Sequence, residues 1–361
     1  MSWIALRSPA EAVLNPTGLG LAMPEQAVNP DHVLPRGSLM VQFSFAPQIQ
    51  PANLIRYAAR DPWPAGLTLC IDQDGLLRLL LRQGNSAQSW DLPTGIKNPG
   101  EVVLVTYVWD SPARTGVLAA YLPDQDQLFQ IDITAPVPPN LRDLGRMVAE
   151  GQGCTLAAEV AFLAVADHLV PVGPLPGLSG QVQVATPEGS VAISRIRCGD
   201  LVDTVDGDPA RVVWTGAVTL PARGRFAPLL LRAPYHGLAA DFVVRPDQRL
   251  YLTGSDIEYL FGQEDVLAAI RHLEDGRSVL RQPEMAVVSY HQLVLDRHAI
   301  IRVNGAALES LDISSILADP SCLRHSVVAQ VPPALLPRGP GLPQPVLRDF
   351  EAMTWRRQRA A

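Results

Sequence analysis

Short apolar runs that alternate with polar positions recur along the first half of the chain. Residues 39–45 read LMVQFSF, and two further runs, at 67–71 and 76–81, flank the dipeptide Asp74-Gly75, which suits a tight hairpin turn. More runs of this kind lie at 102–109, 116–122, 128–133 and 156–165. Short strands at such spacing are typical of a sandwich or barrel. We therefore predict a β-sandwich over residues 38–170.

The second half repeats this pattern with different punctuation. Four β-type runs occupy 182–185, 191–196, 201–205 and 211–214, separated by PEG, CGD and a segment containing DG. Closing strands are expected at 285–288, 292–295 and 299–303. Between the first four runs and these closing strands, the segment 256–273 has Val266, Leu267, Ile270 and Leu273 at helical spacing. A short helix inserted into an all-β domain is the expectation there.

Proline-rich stretches divide the chain into segments. Residues 1–37 hold five prolines without sustained periodicity, which predicts an arm lying against the sandwich. The sequence PVGPLPGLSG at 171–180 is typical of a semi-rigid linker. We expect a second domain at 181–313, then a proline-rich strap and a C-terminal helix within 314–361. The expected apolar face of that helix consists of Val346, Leu347, Phe350 and Met353.

Several spaced motifs carry a family resemblance. They are ATPEG at 185–189, the pattern I..I..GDLV.T.DG at 193–207, V.W.G at 212–216, and a closing block at 288–313 that contains LDRH, NG and ES. Together they resemble the Hint domain, the hedgehog/intein autoprocessing module, in its proteobacterial form. The strand order of residues 38–170 resembles a concanavalin-A-like jelly roll. Both resemblances imply an all-β fold class: a jelly-roll-like sandwich followed by a Hint-type domain.

The resemblance also locates the chemistry that an active Hint domain needs. Such domains begin with a Cys or Ser that attacks the preceding carbonyl, and this position is occupied by Gly177. The His that polarises the scissile amide is replaced by Gln248 within VRPDQRLYL, and a Gln side chain cannot shuttle a proton near neutral pH. The resemblance therefore implies a degenerate autoprocessing site.

Four other residues keep a catalytic alternative open. Ser179 lies close to the nucleophile position, while His291, Asp296 and His298 are titratable groups in the closing block. An Asp beside a His can orient an imidazole for acid–base work. The other interpretation gives these residues purely structural roles: the Asp296 region is a polar turn between strands, and His291 is a half-buried residue.

Aromatic residues in the first domain are candidates for sugar binding, because aromatic faces stack on sugar rings. Trp63 and Trp90 stand beside Pro64 and Asp91 in loop-like contexts, so both are predicted to be exposed ligand-binding residues. Tyr107 and Trp109 alternate with apolar neighbours on one strand and are expected in the core.

Composition excludes several classes of function. The chain has 361 residues, 47% hydrophobic and 18% charged, a net charge of −7 and a pI near 5.5. No footprint for nucleic acid or an anionic membrane is present. The four cysteines are scattered without metal spacing, so neither a metal site nor a cofactor is predicted. No apolar run reaches about 18 residues, and the N-terminus lacks a Sec signal pattern. A soluble protein is expected, either cytoplasmic or exported by a non-classical route.

The functional expectation has two alternatives. The first is a non-catalytic binding or structural protein, built on a degenerate Hint domain and a lectin-like module, with a glycan or another protein as partner. The second is a protein that still cleaves its own backbone with Ser179 as the nucleophile.

Overall fold

Strands dominate both units of the chain in the computed structural model, and this confirms the predicted all-β class. The first unit comprises Met1–Gly173 and Asp319–Ser326, and the second comprises Pro174–Ala318 and Val327–Ala361. The structure describes residues 2–25, 28–47, 51–149, 151–283, 285–337, 341–342 and 344–360. Pro340 and Pro343 of the expected strap lie outside these described residues.

Two antiparallel sheets face each other in the first unit. Among the described residues, the strands are β1 (Trp3–Ser8), β2 (Glu11–Leu14), β3 (Arg36–Ser44), β4 (Ala52–Ala59), β5 (Ala65–Ile71), β6 (Leu76–Gln83), β7 (Ser86–Pro93), β8 (Val102–Asp110), β9 (Thr115–Leu122), β10 (Gln127–Thr134), β11 (Cys154–Leu156) and β12 (Val160–Ala166). One sheet has the order β10-β9-β8-β3-β12-β1-β2, and the other has the order β11-β4-β5-β6-β7.

Period-two alternation explains why these sheets share one core. In β5, Leu67, Leu69 and Ile71 are buried while the residues between them are partly exposed. Tyr107 and Trp109 point from β8 into the same core, as the sequence predicts. The opposite face of β8 is also covered, because Val108 packs in a smaller apolar cluster. The first unit is therefore a β-sandwich.

The N-terminal residues differ from the predicted arm. Residues 3–8 pair with β12, and residues 11–14 pair with β1, so both segments are strands of the larger sheet. Trp3, Ile4 and Leu6 are almost completely buried. Because the first four residues of β1 are all buried, no hydrophobic alternation marks this strand in the sequence.

One helix of the sandwich was not expected from the sequence. Helix α1 (Leu141–Val148) begins after Asn140, whose side chain accepts a hydrogen bond from the backbone N–H of Asp143. Leu141, Leu144 and Met147 bury its apolar face in the core of the sandwich. The helix contacts β1 and β2 and covers that side of the core.

The second unit contains three small sheets. Among the described residues, its strands and helices are β13 (Gln183–Thr186), β14 (Gly189–Ala192), β15 (Leu201–Val202), β16 (Ala210–Pro221), β17 (Leu229–Leu231), β18 (Phe242–Val244), β19 (Arg249–Thr253), α2 (Ser255–Phe261), β20 (Asp265–Ala269), β21 (Val279–Arg281), β22 (Val287–Leu295), β23 (Ile300–Val303), β24 (Ala306–Glu309), α3 (Ser314–Ala318) and α4 (Asp349–Ala360). The sheet orders are β14-β13-β23-β24-β19-β20, β15-β16-β22 and β18-β17-β21. Short 3-10 turns beginning at Ile193, Gly224, Tyr235 and Ile270 connect several of these strands, and another turn begins at Pro333.

The inserted helix is shorter than the sequence pattern suggests. Only residues 255–261 are α-helical. Residues 265–269 form β20, which pairs with β19 over its full length, and residues 270–273 form a 3-10 turn. Val266 and Leu267 are buried in β20 and Ile270 is buried in the 3-10 turn that follows, so the apparent helical spacing arises because this strand has almost no exposed face. The prediction of a helix across this region was therefore wrong beyond Phe261.

The proposed linker and the C-terminal tail also pack more closely than expected. Leu175 and Leu178 are buried, so the segment before β13 is not an exposed spacer. The predicted C-terminal helix is present as α4, but Ala352 and Trp355, not Phe350, provide its buried contacts. No helix in the described parts of the chain is long and apolar enough to cross a membrane.

Candidate functional site

The backbone at the expected cleavage point is held between two strands. Gly177 accepts a hydrogen bond at its carbonyl from the N–H of Arg245 at 2.8 Å. Leu178 exchanges two backbone hydrogen bonds with His291 of β22, at 2.6 and 3.0 Å, and the N–H of Ser179 donates to the carbonyl of Val243 at 3.0 Å. These bonds fix residues 177–179 as a short extended segment inside the second unit.

Gln248 lies directly against this segment, in the turn between β18 and β19. Its Nε2 donates to the carbonyl of Glu309 at 2.8 Å, and its Oε1 accepts from Nε2 of Gln292 at 2.8 Å. Gln292 Oε1 in turn accepts from the N–H of Leu293 at 3.1 Å. Gln248 and Gln292 are only 7% and 1% exposed, so this is a buried amide network whose polar atoms are paired.

Gly177 and Gln248, which the family resemblance places in one site, are neighbours in the fold. A Cβ added to Gly177 would lie 2.9 Å from Oε1 of Gln248 and 3.5 Å from its Cβ. A side chain at position 177 therefore has to displace the Gln248 amide. At the position that the resemblance aligns with the nucleophile, the amide oxygen of Gln248 occupies the space next to where a side chain would begin.

Among the catalytic candidates, His291 is the one whose ring approaches the segment that contains Ser179. A Cβ added to Gly180, the next residue, would lie 2.7 Å from Nε2 of His291, so this imidazole stands over the chain beside Ser179. Burial lowers the pKa of His291, which favours the neutral ring. The Ser179 hydroxyl forms no hydrogen bond with any described residue, and its backbone N–H is held by Val243.

Asp296 takes no part in this site. It is exposed at the end of β22, and its backbone N–H donates to the carbonyl of Arg211 at 2.9 Å. Its Oδ1 accepts from the N–H of Arg211 at 3.2 Å. Asp296 therefore closes a polar turn, as the structural interpretation of the sequence expects.

His298 belongs to a separate cluster of charges. Its Nε2 lies 3.3 Å from Oε1 of Glu309, and its Nδ1 lies 3.9 Å from Oδ1 of Asp312. Arg249 approaches Oε1 of the same Glu309 at 3.0 Å. Burial lowers the pKa of His298, but the contact with Glu309 and the two carboxylate charges raise it by more, so the net shift is upward. A charged imidazolium between two carboxylates is the state that this arrangement favours.

The same cluster holds the donor types of a metal site, which the sequence does not predict. His298, Glu309 and Asp312 offer a ring nitrogen and two carboxylate oxygens within 4.8 Å of one another. Arg249, however, donates to both oxygens of Glu309, at 3.0 and 3.3 Å. Because a cation of the chain already neutralises this carboxylate, the arrangement fits an internal ion-pair cluster better than a metal centre.

Sequence reasoning missed three members of these networks. Gln292, Glu309 and Arg249 lie 44, 61 and one residue from Gln248 along the chain, and only the fold assembles them. One signal was available for Glu309, because it is the first residue of the ES pair in the closing motif. A cavity of about 230 Å³ adjoins the cluster and is lined by His298 and Asp312.

The two tryptophans of the first unit occupy different environments. Trp63 lies in the connection between β4 and β5 and is 39% exposed, as predicted. Trp90 does not lie in a loop: it is part of β7, where it pairs with the buried Leu79. Its half-buried ring stacks on Tyr107 at a centroid distance of 6.3 Å. The prediction that Trp90 is an exposed loop residue was therefore wrong.

Solved structures with regions similar to this chain include two inteins and a CBM40. The gp41-1 intein is 14% identical and has a TM-score of 0.26, with 37% of this chain and 96% of that chain covered. The MchDnaB-1 intein is 18% identical and has a TM-score of 0.25, with 37% of this chain and 98% of that chain covered. The CBM40 of Ruminococcus gnavus IT-sialidase is 12% identical, has a TM-score of 0.28 and covers 37% of this chain and 77% of that chain. None of the curated proteins compared with this chain matches it.

A match to a protein-family model is more specific. The family described as the Hint domain matches residues 176–314, which contain the segment at Gly177, the Gln248 network and the His298 cluster. The range begins one residue before Gly177 and ends two residues after Asp312. The Hint domain that the spaced sequence motifs predict for this part of the chain is thus confirmed.

Proposed function

We propose that the Hint domain of this chain does not process its own backbone and acts as a rigid module of a binding or structural protein. The observation that carries this proposal is the contact between Gly177 and Gln248. The position of the nucleophile has no side chain, and the amide that adjoins it is committed to two buried hydrogen bonds. The chain thus keeps the fold of a Hint domain but has Gly177 and Gln248 where an active Hint domain has its reacting groups.

The amide network supports this proposal for an energetic reason. Moving Gln248 to admit a reacting group leaves the carbonyl of Glu309 and the amide of Gln292 without these partners. A buried polar group left unpaired costs about 1–3 kcal/mol. The network therefore stabilises a closed, non-reacting site. Neither Gln side chain can accept and return a proton at neutral pH.

The remaining titratable groups support the same conclusion. The charge of His298 is held by Glu309 and Asp312, and Asp296 is held by Arg211, so neither is presented to residues 177–179. The Hint domain in this proposal therefore serves as a scaffold without carrying out a reaction. In this proposal, the β-sandwich, which we group with concanavalin-A-like domains, supplies the binding function, with a glycan or another protein as its partner.

Intact-mass spectrometry of the purified chain tests the proposal. We expect the full mass to persist after incubation with hydroxylamine or a thiol, which intercept ester and thioester intermediates. Fragments that split near residues 176–180 would contradict it. The variant Ser179→Ala serves as the control, because it removes the hydroxyl that the alternative cleavage reaction requires.

A second candidate function rests on the adjacency of Ser179 and His291. The neutral imidazole beside Ser179 is the type of base that activates a hydroxyl for attack on the carbonyl of Leu178. That attack breaks the peptide bond between Leu178 and Ser179 and forms an ester. If hydroxylamine released fragments at this bond, Ser179→Ala and His291→Gln should each abolish them. Fragments that persist in both variants would exclude this alternative.

A further inference from the structure

A groove of about 730 Å³ crosses the outer face of the five-stranded sheet of the sandwich. Its floor consists mainly of small side chains, with the exposed Leu80 among them, so the sheet surface is accessible across several strands. The small floor residues are Ala58, Gly66, Thr68, Ala87 and Ser89. Alternate residues of a strand share a face, and the facing core residues Leu67 and Leu69 are buried, so this floor is the outward side of the sheet.

The strand register orders the groove into two rows. In the first row, Arg56 of β4, Thr68 of β5, Leu80 of β6 and Ser89 of β7 lie side by side. In the second row, Ala58, Gly66, Arg82 and Ala87 lie side by side in the same order of strands. From strand spacing and rise, the Cα atoms of Arg56 and Arg82 are about 12 Å apart. The two guanidinium groups thus flank a floor of mainly small residues.

Three arginines line this groove: Arg56, Arg60 and Arg82. All three are exposed, and none forms an ion pair with any residue in the described ranges. Another arginine of the same sheet behaves differently, because Arg78 forms an ion pair with Asp91 at 2.6 Å. Asp91 therefore neutralises Arg78, whereas the three arginines around the groove keep their positive charges without such a partner among the described residues. In a chain with a net charge of −7, this is a local concentration of positive charge.

We infer that this groove binds an anionic saccharide, one that carries carboxylate or sulfate groups, through Arg56, Arg60 and Arg82. The inference rests on the binding role proposed above for the sandwich and specifies its ligand class. A guanidinium group presents a planar fork of donors that matches the oxygens of a carboxylate or sulfate. Thr68 and Ser89 on the floor add hydroxyl groups that both donate and accept hydrogen bonds, as sugar hydroxyls require.

Trp63 lies in the connection between β4 and β5, from which two residues of the same groove come. It lies between Arg60 and Pro64 in the chain, and both of these residues line the cavity. With 39% of its surface exposed, the indole offers a free face for stacking on a sugar ring. A charge-pairing group and a stacking group next to each other favour a saccharide over an inorganic anion.

The position of the groove argues against an acidic peptide as the ligand. Extended peptides gain affinity from main-chain hydrogen bonds when they add to the edge of a sheet. The groove instead lies over the face of β4, β5, β6 and β7, and of these four only β7 is an edge strand, whereas the backbone groups of the other three already pair with strands on both sides. A ligand on this face is recognised through side chains alone, which suits the charges and hydroxyl groups of a saccharide.

Binding of the full chain to immobilised polymers tests this inference. Polygalacturonate and heparin supply carboxylate and sulfate groups, galactan supplies a neutral polymer, and poly-glutamate supplies an acidic polypeptide. Multivalent presentation amplifies weak individual contacts. We expect binding to at least one acidic polysaccharide that weakens as salt is added.

Two triple variants decide which arginines carry the binding. Arg56→Gln/Arg60→Gln/Arg82→Gln should weaken it by about tenfold or more, because charge-assisted hydrogen bonds are lost. The matched control, Arg195→Gln/Arg197→Gln/Arg302→Gln, removes three exposed arginines of the second unit that also lack ion pairs with described residues. This control should bind as the unchanged chain does, with circular dichroism confirming the fold of both variants.

The other outcomes overturn the inference and can be told apart from a failure of the proposed function. Equal binding to neutral galactan that survives the groove variant contradicts the anionic ligand but leaves a binding role in place. Binding to poly-glutamate as tight as to polygalacturonate contradicts the saccharide assignment. Absence of binding to every polymer removes the saccharide ligand, whereas failure of the non-processing proposal appears separately, as fragments in the mass spectrum.

Discussion

Gly177 packs directly against Gln248, so that a Cβ at position 177 would stand 2.9 Å from the Gln248 amide oxygen. This contact is tighter than packed side chains tolerate, and the amide is held in place by Gln292 and by the carbonyl of Glu309. The two positions from which an active Hint domain draws its chemistry are thus joined here by packing. If the domain is non-processing, as proposed above, these two residues together determine stability and not catalysis.

Gly177→Ala should lower the free energy of unfolding by about 1–3 kcal/mol, the usual cost of overpacking. The new methyl group must push the Gln248 amide away from its hydrogen-bond partners. In a Gln248→Ala background the same substitution should cost much less, because the obstructing amide is gone. Urea denaturation of the four proteins of this double-mutant cycle measures the coupling. Additive costs would show that the two residues do not constrain each other.

A second prediction concerns the core that the opening and closing blocks of the Hint domain share. Ile301 and Val184 belong to one buried cluster, although 117 positions separate them, and Ile301 is completely buried. Ile301→Ala should therefore cost about 2–5 kcal/mol, as truncation of a buried Ile does. The matched control is the exposed neighbour Arg302, whose substitution by Ala should cost less than about 0.5 kcal/mol. Similar costs for the two variants in a denaturation series would place Ile301 outside the core.

Spaced motifs predict the second domain well because they mark turns and closing strands in their order along the chain. The positions of Gly177 and Gln248 follow from those motifs, but the partners that surround them do not. Gln292 and Glu309 approach Gln248 from β22 and β24, so their role depends on how three strands pack. Side-chain contacts over such separations have no local signature in the sequence.

Buried strands account for the main errors of the sequence interpretation. Where both faces of a strand are covered, as in β1 and β20, the period of two disappears. Val266 and Leu267 then fit a helix as well as a strand, and pairing with β19 decides between them. Chain neighbours were also misleading for Trp90, since Asp91 faces solvent while the Trp90 ring faces the core.

The charge cluster at His298 should make stability depend on pH with a defined sign. The folded-state pKa of His298 lies above its ordinary value of 6.5, because Glu309 and Asp312 outweigh the effect of burial. The stabilisation from its charge is therefore complete below pH 6.5 and is lost as the pH rises through the folded-state pKa. Compared with His298→Gln, the unchanged chain should have its largest excess stability near about pH 6 and a smaller one in alkaline solution.

Denaturation of both proteins across this pH range provides the measurement. The exposed His32 is the matched control, because His32→Gln removes an imidazole that has no ion pair with the described residues. Its stability should follow that of the unchanged chain at every pH. Parallel curves for His298→Gln and the unchanged chain would show that the imidazolium is not held by the two carboxylates.

The last prediction separates the two tryptophans of the sandwich by what each substitution damages. Trp90 stacks on Tyr107 and packs against the core, so Trp90→Ala should cost roughly 1–3 kcal/mol, less than for a fully buried aromatic residue. Trp63 is exposed in a connection between strands, so Trp63→Ala should change stability by less than about 0.5 kcal/mol. In the polymer assay the order reverses. Trp63→Ala should weaken binding, whereas the fraction of Trp90→Ala that remains folded should bind normally. If Trp90→Ala left stability unchanged, the stacked arrangement of its ring would be wrong.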